Sequence, residues 1–370
     1  MGGDEFAILI EHCTTDRPVA LASILMHALV APYHVAYQAL RLGASIGIAL
    51  APQHGEDAEV LLSRADIALY AAKAAGKGTF MVFEPSMEAR IQERVRLETD
   101  LRAALDSESG LFVFYQPIVD IRSRRVTARE ALIRWHHPQR GWVSPAEFVP
   151  VAETSGLIDR LGAFVLGRAC RDAAAWADEA RVAVNVSPGQ LGKGTLTTIV
   201  EAALTTYGLA PDRLEIEVTE TALLNDVLDC VADLREVRRI GVRVALDDFG
   251  TGSSSLSHLR VFPFDKIKID GSFVKDAVTC RNCAAIVKAL ADLGERMGVT
   301  TVAEGVETQV QLDRVAAEGC REVQGFLFGR PAPSEADKPM IEVLNQRTSA
   351  PVPVPTPAAT RQAARAVSVA

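Results

Sequence analysis

The chain has 370 residues, of which 48% are hydrophobic and 23% are charged, and its formal net charge is −8. This composition is typical of a soluble globular protein with a substantial core, and the length allows two domains or one large α/β domain. The acidic balance argues against a protein that coats a nucleic acid polymer, although it is compatible with a nucleotide held through metal ions.

The chain begins with the residues MGGDEF, Met1 to Phe6. Two glycines before two carboxylates predict a tight hairpin turn, because glycine adopts positive φ at little cost. The apolar run Phe6–Ile10 then predicts a buried strand. A hairpin needs two strands, so we expect this turn to lack its partner strand.

An uncharged segment follows at residues 18–40, and it is long enough to be considered as a membrane span. Pro32 and Gln38 interrupt its apolar character, so we predict a helix to about Val30 and then a hairpin that turns near Gln38. No signal peptide pattern is visible. We therefore expect a cytoplasmic protein without membrane contact within this chain, while a membrane tether upstream of Met1 stays open.

The rest of this first zone alternates between strand and helix. We predict strands at Ala44–Leu50 and Thr79–Phe83, and a helix at Asp57–Ala75 that Gly76 ends. Residues 86–105 are charged and amphipathic, which predicts a connecting helix.

The second zone, residues 97–343, contains eight short runs rich in β-forming residues. Helical stretches such as Gly162–Ala177 and Ala284–Met297 separate most of them, and this alternation predicts a modified (β/α)8 TIM-like barrel. No helix separates the first two runs, so we expect them to form an antiparallel hairpin. The eight runs are Phe112–Val119, Val126–Ile133, Val182–Val186, Leu214–Val218, Val242–Leu246, Lys266–Ile269, Thr300–Ala303 and Glu322–Phe326.

The predicted fold is α/β and has four segments. Residues 1–84 form a partial α+β half-domain, residues 85–96 a helical linker and residues 97–343 the barrel. Residues 344–370 are rich in Pro and Ala without periodicity, which predicts a disordered tail.

Among the six cysteines, only Cys280 and Cys283 form a C-x-x-C pair. A zinc site would require a second pair or nearby histidines, and a redox motif would require its own βαβ context. We interpret the two residues as ordinary thiols.

Polar residues that can bind a metal occur at the carboxyl ends of the predicted barrel strands. Those strand ends meet at one face of a barrel, so the side chains are expected to converge on a single mouth. A single acidic residue at a strand end is commonly a helix N-cap or a loop ion pair, but repetition in successive units favours a shared site. The residues are Glu130, Asn185, Glu217, Asp247, Asp248, Lys268, Glu304 and Gln324.

Five of these residues are carboxylates, and Lys268 is the only cation that matches them. Like charges at short range raise one another's pKa, so the group could stay ionised only with divalent cations. Oxygen ligands suit Mg²⁺ or Mn²⁺, and the adjacent pair Asp247 and Asp248 favours two ions with one bridging carboxylate. Two ions about 3.5–4 Å apart are the usual arrangement for hydrolysing phosphate esters.

The sequence around these residues resembles the EAL domain family, the bacterial cyclic di-GMP phosphodiesterases. The motifs REALIRW, NVS, EVTE, DDFGTG, KIKID, AEGVE and QGFLFGRP occur in the order of that family across residues 97–343. Residues 1–84 resemble the C-terminal half of a GGDEF diguanylate cyclase domain through GGDEF, ASIGIA and ADIALYAAKAAGKGTF.

The resemblance implies a cyclic di-GMP-specific phosphodiesterase that opens one phosphodiester bond to give linear pGpG. It also implies a homodimer through the EAL domain and two ions, Mg²⁺ or Mn²⁺. One ion would be held by Glu130, Asn185, Glu217 and Asp247, and the other by Asp247, Asp248 and Glu304.

The remaining site residues are also implied by the resemblance. Catalytic roles fall to Lys268, Glu304 and Glu130, with Lys268 orienting the attacking water. Substrate contacts fall to Gln116, Arg134 and Gln324, and supporting roles fall to Glu220, Glu307 and Asp270. Glu220 would anchor the loop after Asp248.

Two further features depart from a simple metal pattern. The family often has an aromatic residue after DFGTG, where this chain has Ser253, and we interpret the serine as a tolerated variation. His136 and His137 precede Pro138 and match a turn of the family, so we assign them a structural role.

A cyclase site needs an earlier strand with another carboxylate, which would lie upstream of Met1. We therefore expect diguanylate cyclase activity to be absent and Asp4 and Glu5 to be idle, whether the start is placed too late in a longer protein or the half-domain is a remnant. Two alternatives to hydrolysis stay open. The chain could be a non-catalytic cyclic di-GMP receptor, or it could be unstable because of unpaired strand edges in the half-domain.

Overall fold

The computed structural model describes residues 5–11, 14, 16–35, 38–40, 42–223, 227–250 and 262–348. The chain divides into two compact units, residues 1–100 and 101–370. Across the described residues, no helix combines the length and the apolar character that crossing a bilayer requires. Ser253 and Asp4 lie outside the described residues, as do residues 349–370 of the predicted tail.

The first unit is a small α+β arrangement. Its elements are α1 (Asp16–Leu29), β1 (Tyr33–Val35), β2 (Gln38–Leu40), β3 (Ile46–Ile48), α2 (Ala58–Ala74) and β4 (Phe80–Val82). Strand β3 pairs in parallel with β4, and the connecting helix α2 packs closely on β3: a Cβ added at Gly47 would lie 2.0 Å from the carbonyl oxygen of Ala65. Asp57 caps α2 by accepting the N–H of Glu59 at 2.8 Å.

Most predictions for this unit are confirmed, and one is wrong. The uncharged segment forms a helix followed by the antiparallel hairpin of β1 and β2. Residues 5–11, however, have no regular secondary structure, and Phe6 and Leu9 are 88% and 86% exposed, so the predicted buried strand Phe6–Ile10 is absent. An apolar run becomes a strand only when another strand satisfies its backbone groups, and no described strand pairs with these residues.

A single helix, α3 (Pro85–Ser107), covers the predicted linker. It continues well past residue 97, where we placed the start of the barrel, and the boundary between the two units falls inside it. Leu101 and Leu105 are buried in the second unit.

The second unit is a closed barrel of eight strands, and all eight predicted strands are present. The strands are β5 (Leu111–Asp120), β6 (Val126–His137), β8 (Arg181–Asn185), β9 (Leu214–Thr219), β10 (Arg243–Phe249), β11 (Lys266–Ile269), β12 (Thr300–Ala303) and β13 (Glu322–Gln324). The order around the barrel is β5, β13, β12, β11, β10, β9, β8 and β6, and β6 pairs with β5 to close it. The pairings of β5 with β6 and β13 are antiparallel and the others are parallel, which confirms the predicted hairpin.

Helices surround the barrel, and two further short strands each pair with one barrel strand. Strand β7 (Gly141–Val143) pairs with β6, and β14 (Ala332–Pro333) pairs with β5. The last helix reaches Thr348 and so includes the first residues of the segment predicted as a tail. The helices are α4 (Pro145–Ser155), α5 (Ile158–Ala174), α6 (Leu196–Tyr207), α7 (Val227–Arg239), α8 (Gly271–Asp276), α9 (Arg281–Met297), α10 (Gln309–Ala317) and α11 (Lys338–Thr348).

Most apolar packing lies between the helices and the strands, and the barrel interior holds a small apolar cluster and polar side chains. Large hydrophobic clusters join the helices to the strands, with Leu166 of α5 and Val184 of β8 in one of them. A separate cluster of Ile118, Ala128 and Val302 comes from β5, β6 and β12. The carboxyl ends of the seven parallel strands, and with them the predicted site, lie at one mouth of the barrel.

Candidate active site

The site is built around the ammonium group of Lys268 on β11. Lys268 is 1% exposed, and its Nζ lies 2.8 Å from Glu304, 3.0 Å from Glu217, 3.2 Å from Asp247 and 3.7 Å from Glu130. These four carboxylates come from β6, β9, β10 and the residue after β12. The structure therefore brings together the residues that the sequence placed at separate strand ends.

The two consecutive aspartates reach this mouth because β10 is irregular. Residues on a regular strand alternate between its two faces. The register of β10 against β11 shifts between Leu246 and Phe249, and Asp248 has φ of 53°. Asp tolerates this left-handed conformation better than most residues, and such irregularities concentrate next to active sites. Ligand atoms of Asp247, Asp248 and Glu304 consequently lie within 4.8 Å of one another.

Glu130 is held by amide side chains. Its Oε1 accepts from Nδ2 of Asn185 at 2.7 Å, and its Oε2 accepts from Nε2 of Gln324 at 2.5 Å. Gln324 also donates to Gln116, which in turn donates to the carbonyl of Gly329. Burial raises the pKa of Glu130, but the Lys268 charge and these donors outweigh it, and the pKa falls below its ordinary value.

Three other carboxyl groups of the cluster have a raised pKa. Burial, with the neighbouring charges of Glu130 and Asp247, raises the pKa of Glu217 well above its usual range despite Lys268. Burial likewise raises the pKa of Glu304 to about 7. Burial and the Asp247 charge raise the pKa of Asp248. One lysine is therefore not enough to keep this cluster fully ionised.

The donor set fits a pair of divalent cations. Two groups of carboxylates could each hold an ion: Glu130, Glu217 and Asp247 form one, and Asp247, Asp248 and Glu304 form the other. Asp247 is common to both. Within the described part of the chain, Oε1 of Glu217 has no hydrogen-bond partner although it is buried, and an unpaired buried carboxylate oxygen is what a cation would satisfy.

Arg134 and Glu220, for which substrate and supporting roles were predicted, belong to chain segments that carry residues of the cluster. Arg134 is four residues beyond Glu130 on β6, and its guanidinium lies 5.5 Å from the centre of the Phe114 ring. Glu220 is buried in the short helix Glu220–Leu223 directly after β9.

Two of the predicted supporting residues, Asp270 and Glu307, belong to neither group of described carboxylates that could hold an ion. Asp270 caps α8, where its Oδ1 accepts the N–H of Ser272 at 2.9 Å. The side chain of Glu307 is exposed, and the contacts described for it do not bring it into the cluster.

The two histidines after Trp135 hold a turn. Nδ1 of His137 accepts the N–H groups of Gln139 at 3.1 Å and Arg140 at 3.2 Å. The ring of His136 packs edge-on against Trp142, with centroids 5.0 Å apart. Neither histidine belongs to a metal-binding group among the described residues.

A second charged layer inside the barrel was missed by the sequence analysis. Lys266 is 1% exposed, and its Nζ lies 2.8 Å from Glu215 and 3.2 Å from Glu322. Each of these residues lies two positions before a residue of the mouth on the same strand: Lys268, Glu217 and Gln324. Polar residues at alternate positions of buried strands, as in LEIE, KIK and EVQ, were the signal that could have found it.

Two protein families match the chain. The EAL domain family model matches residues 98–331, and the model of the diguanylate cyclase GGDEF domain matches residues 1–79. MucR of Pseudomonas aeruginosa, named a bifunctional diguanylate cyclase/cyclic di-GMP phosphodiesterase, is 40% identical over 90% of this chain and 49% of its own length. The chain spans about half the length of the curated relatives it matches.

Solved structures share the fold. The PaMucR phosphodiesterase in complex with c-di-GMP is 40% identical with a TM-score of 0.62, over 65% of this chain and 99% of that one. BlrP1 of Klebsiella pneumoniae, solved as a manganese/cy-diGMP complex, is 34% identical with a TM-score of 0.54, over 60% of this chain and 56% of that one.

Proposed function

Because the chain belongs to the EAL domain family, we propose that its barrel is a metal-dependent phosphodiesterase that hydrolyses cyclic di-GMP to linear pGpG. The observation that carries the proposal is the pair of carboxylate groups sharing Asp247 at the barrel mouth. The name of the relative MucR, and the complexes of PaMucR and BlrP1 with cyclic di-GMP, support the choice of substrate.

We assign the metal ligands from the two groups and from the amide beside them. Glu130, Asn185, Glu217 and Asp247 would hold one cation, and Asp247, Asp248 and Glu304 the other. Mg²⁺ or Mn²⁺ suits these oxygen donors, and the manganese complex of BlrP1 supports this choice. When bound, such ions supply positive charge to the phosphate and lower the pKa of the attacking water.

The residues of the chain itself position the reacting groups. The Lys268 ammonium pairs with Glu217 and Glu304 and so fixes their orientation. We assign it the further role of holding the attacking water and stabilising the negative charge that develops on the phosphate. Together with the Lys268 charge, the amide donors of Gln324 and Asn185 keep Glu130 ionised, and they hold it in one rotamer. We also assign catalytic roles to Glu130 and Glu304, whose carboxylates lie 3.7 Å and 2.8 Å from the Lys268 ammonium.

Substrate recognition is assigned to the side of the mouth formed by β5, β6 and β13. Arg134 offers a guanidinium fork to a phosphate, and Gln116 and Gln324 offer amide groups to a phosphate or a guanine edge. Burial lowers the pKa of Arg134, and the Glu130 charge partly offsets this. A homodimer through the EAL barrel is part of the proposal and is tested by the molar mass of the chain in solution.

A direct assay tests the activity. The purified chain is incubated with cyclic di-GMP and Mg²⁺ or Mn²⁺, and the products are separated by chromatography. We expect pGpG, and we expect its loss in Glu130→Gln. The matched control is Glu335→Gln, because Glu335 is exposed, pairs with Lys338 and belongs to neither of the two carboxylate groups.

The second candidate is a non-catalytic cyclic di-GMP receptor. Binding of cyclic di-GMP by the folded chain without any pGpG in either metal would support the receptor and overturn the phosphodiesterase. The presence of a full set of carboxylate ligands favours hydrolysis, because a receptor needs no cluster of ionised groups at its phosphate site.

A further inference from the structure

Cys280 and Cys283 lie at the amino-terminal end of α9, and the proposed hydrolysis uses neither of them. We propose that they form a redox-active dithiol, which exchanges with small disulfides of the glutathione class and closes to an intramolecular disulfide. The inference is independent of the phosphodiesterase, and its test does not depend on that activity.

The geometry places the two cysteines within one turn of each other at the start of the helix. Cys280 is the N-cap of α9, and its Sγ accepts the backbone N–H of Cys283 at 3.4 Å. The position of Cys280 is fixed on both sides: its N–H donates to the carbonyl of Asp276 at 2.8 Å, and its own carbonyl accepts from Ala284 at 3.1 Å. Residues three apart in a helical turn have Cβ atoms about 5–6 Å apart, and a disulfide needs about 3.5–4.5 Å. A small movement of the first turn is therefore sufficient to join them.

The electrostatics make the two thiols unequal. The Cys283 N–H, at the positive end of the helix, lowers the pKa of Cys280 below its ordinary value. The hydrogen bond with Cys280 raises the pKa of Cys283, and the Asp276 carboxylate opposes ionisation of both. This asymmetry makes Cys280 the attacking thiol and Cys283 the thiol that resolves the first product.

Other cysteines of the chain provide an internal contrast. Cys170, Cys230 and Cys320 are buried, and burial raises the pKa of Cys170 and of Cys320 to about 12. Cys280 and Cys283 are both partly exposed, so a small disulfide can reach them. Neither belongs to a group of three potential metal ligands within the described residues, which favours thiol chemistry over a zinc site.

The reaction balances with the disulfide as the oxidant. The Cys280 thiolate attacks one sulfur of oxidised glutathione, which gives a mixed disulfide and releases one glutathione thiolate. Cys283 then loses its proton to solvent, attacks Sγ of Cys280 and expels the second glutathione thiolate. The two glutathione thiolates together take up two protons, so two protein thiols are oxidised while one small disulfide is reduced to two thiols.

The experiment uses the full chain in a Cys13→Ser background, because Cys13 lies outside the described residues. The reduced, folded protein is incubated with oxidised glutathione at neutral pH and quenched with acid, and the sites are mapped by mass spectrometry. We expect an intramolecular Cys280–Cys283 disulfide without a retained adduct. In C283S we expect a stable glutathione adduct on Cys280, and in C280S we expect modification at least about tenfold slower.

The variants and outcomes are chosen to separate the pair from general thiol reactivity. Serine is a good N-cap, so C280S is expected to fold, which circular dichroism checks. C230S, which removes a buried cysteine, should close the disulfide at the parent rate. Equal adduct formation in C280S and C283S, or a retained adduct without closure in the parent, overturns the proposal.

Discussion

Lys266 and Lys268 lie two residues apart on one barrel strand, and each places its ammonium group among buried carboxylates. The two lysines belong to successive layers, because alternate residues of a strand face the same side. Lys266 has two close carboxylates, Glu215 and Glu322, and Arg243 approaches Glu215 at 4.0 Å. Lys268 has four carboxylates within the same range. Only the layer at the mouth carries an excess of negative charge for divalent cations to balance.

Removing Lys268, the lysine of the layer at the mouth, should destabilise the protein mainly while metal is absent. In Lys268→Met, four carboxylates lose their common cation, and the free energy of unfolding in chelator should fall by about 3 kcal/mol. Mg²⁺ should recover a large part of that loss, and pGpG production should still fall at least about 100-fold. Chemical denaturation with and without Mg²⁺ measures the first two effects. Lys288→Met, at an exposed pair with Asp292, should change stability by less than about 1 kcal/mol.

Removing Lys266, the lysine of the deeper layer, should lower the free energy of unfolding by an amount that metal does not restore. Lys266→Met leaves Glu215 and Glu322 buried without their ammonium partner, so a loss of about 3 kcal/mol is expected. No metal-binding group among the described residues includes Glu215 or Glu322. The denaturation midpoint of K266M should therefore shift with Mg²⁺ no more than that of the parent. A stabilisation of K266M by Mg²⁺ as large as that of K268M would contradict the assignment of the ions to the layer at the mouth.

The metal-free protein should lose stability as the pH rises, in part through Glu304. Burial raises the folded-state pKa of Glu304 to about 7 from an ordinary value of 4.5, so the folded state binds more protons than the unfolded state between these pH values. The stabilisation is fully present below pH 4.5 and is lost as the pH rises through 7. Denaturation in chelator from about pH 5 to 8 should reveal a decrease of about 1–3 kcal/mol from this group.

Glu304→Gln should remove that part of the pH dependence. Glutamine cannot ionise, so the stability of E304Q should vary less over the same range, while Glu335→Gln, at an exposed position, should keep the parent slope. An unchanged slope in E304Q would show that other groups carry the pH dependence.

The success of the sequence analysis and its errors have physical causes. Buried parallel strands leave short apolar runs, and their carboxyl ends meet at one mouth, so the eight strands and the carboxylate cluster were predictable. Whether Phe6–Ile10 forms a strand depends on pairing with another strand. The local sequence pattern does not contain that information. The bulge that turns Asp248 toward the mouth depends on the register of β10 against β11.

The sequence analysis placed the start of the helix beside the cysteine pair one turn too late. The predicted helix began at Ala284, whereas α9 begins at Arg281. That shift of one turn makes Cys280 the N-cap and places Cys283 in the first turn. Boundaries depend on capping contacts, which composition and periodicity do not determine.

Asp248→Asn should separate the stability of the site from its function. Burial and the Asp247 charge make the ionised form of Asp248 unfavourable, and Asn tolerates φ near its 53°. We expect D248N to raise the melting temperature in chelator and to reduce the further increase that Mg²⁺ causes in the parent. Asp292→Asn, at an exposed position, is the control and should alter neither value. A lower melting temperature of D248N in chelator would contradict the view that the charge of this carboxylate is unfavourable without metal.

Gln324→Leu distinguishes support of the metal site from contact with substrate. Nε2 of Gln324 donates to both Glu130 and Gln116, so leucine would leave Glu130 with Asn185 as its amide donor and raise its pKa. Loss of such a supporting hydrogen bond typically weakens metal binding by about 10–100-fold.

Calorimetric titration with Mn²⁺ measures that loss, and Gln309→Leu is the matched control, because Gln309 is exposed and bonds to Asp313. If Q324L binds Mn²⁺ like the parent but shows a higher KM for cyclic di-GMP, Gln324 acts on the substrate alone. If affinity for Mn²⁺ falls and excess Mn²⁺ restores kcat, its hydrogen bond to Glu130 is the contact that matters. The first result would mean that Lys268 and Asn185 are sufficient to keep Glu130 ionised. The second would mean that the amide network is part of the metal site.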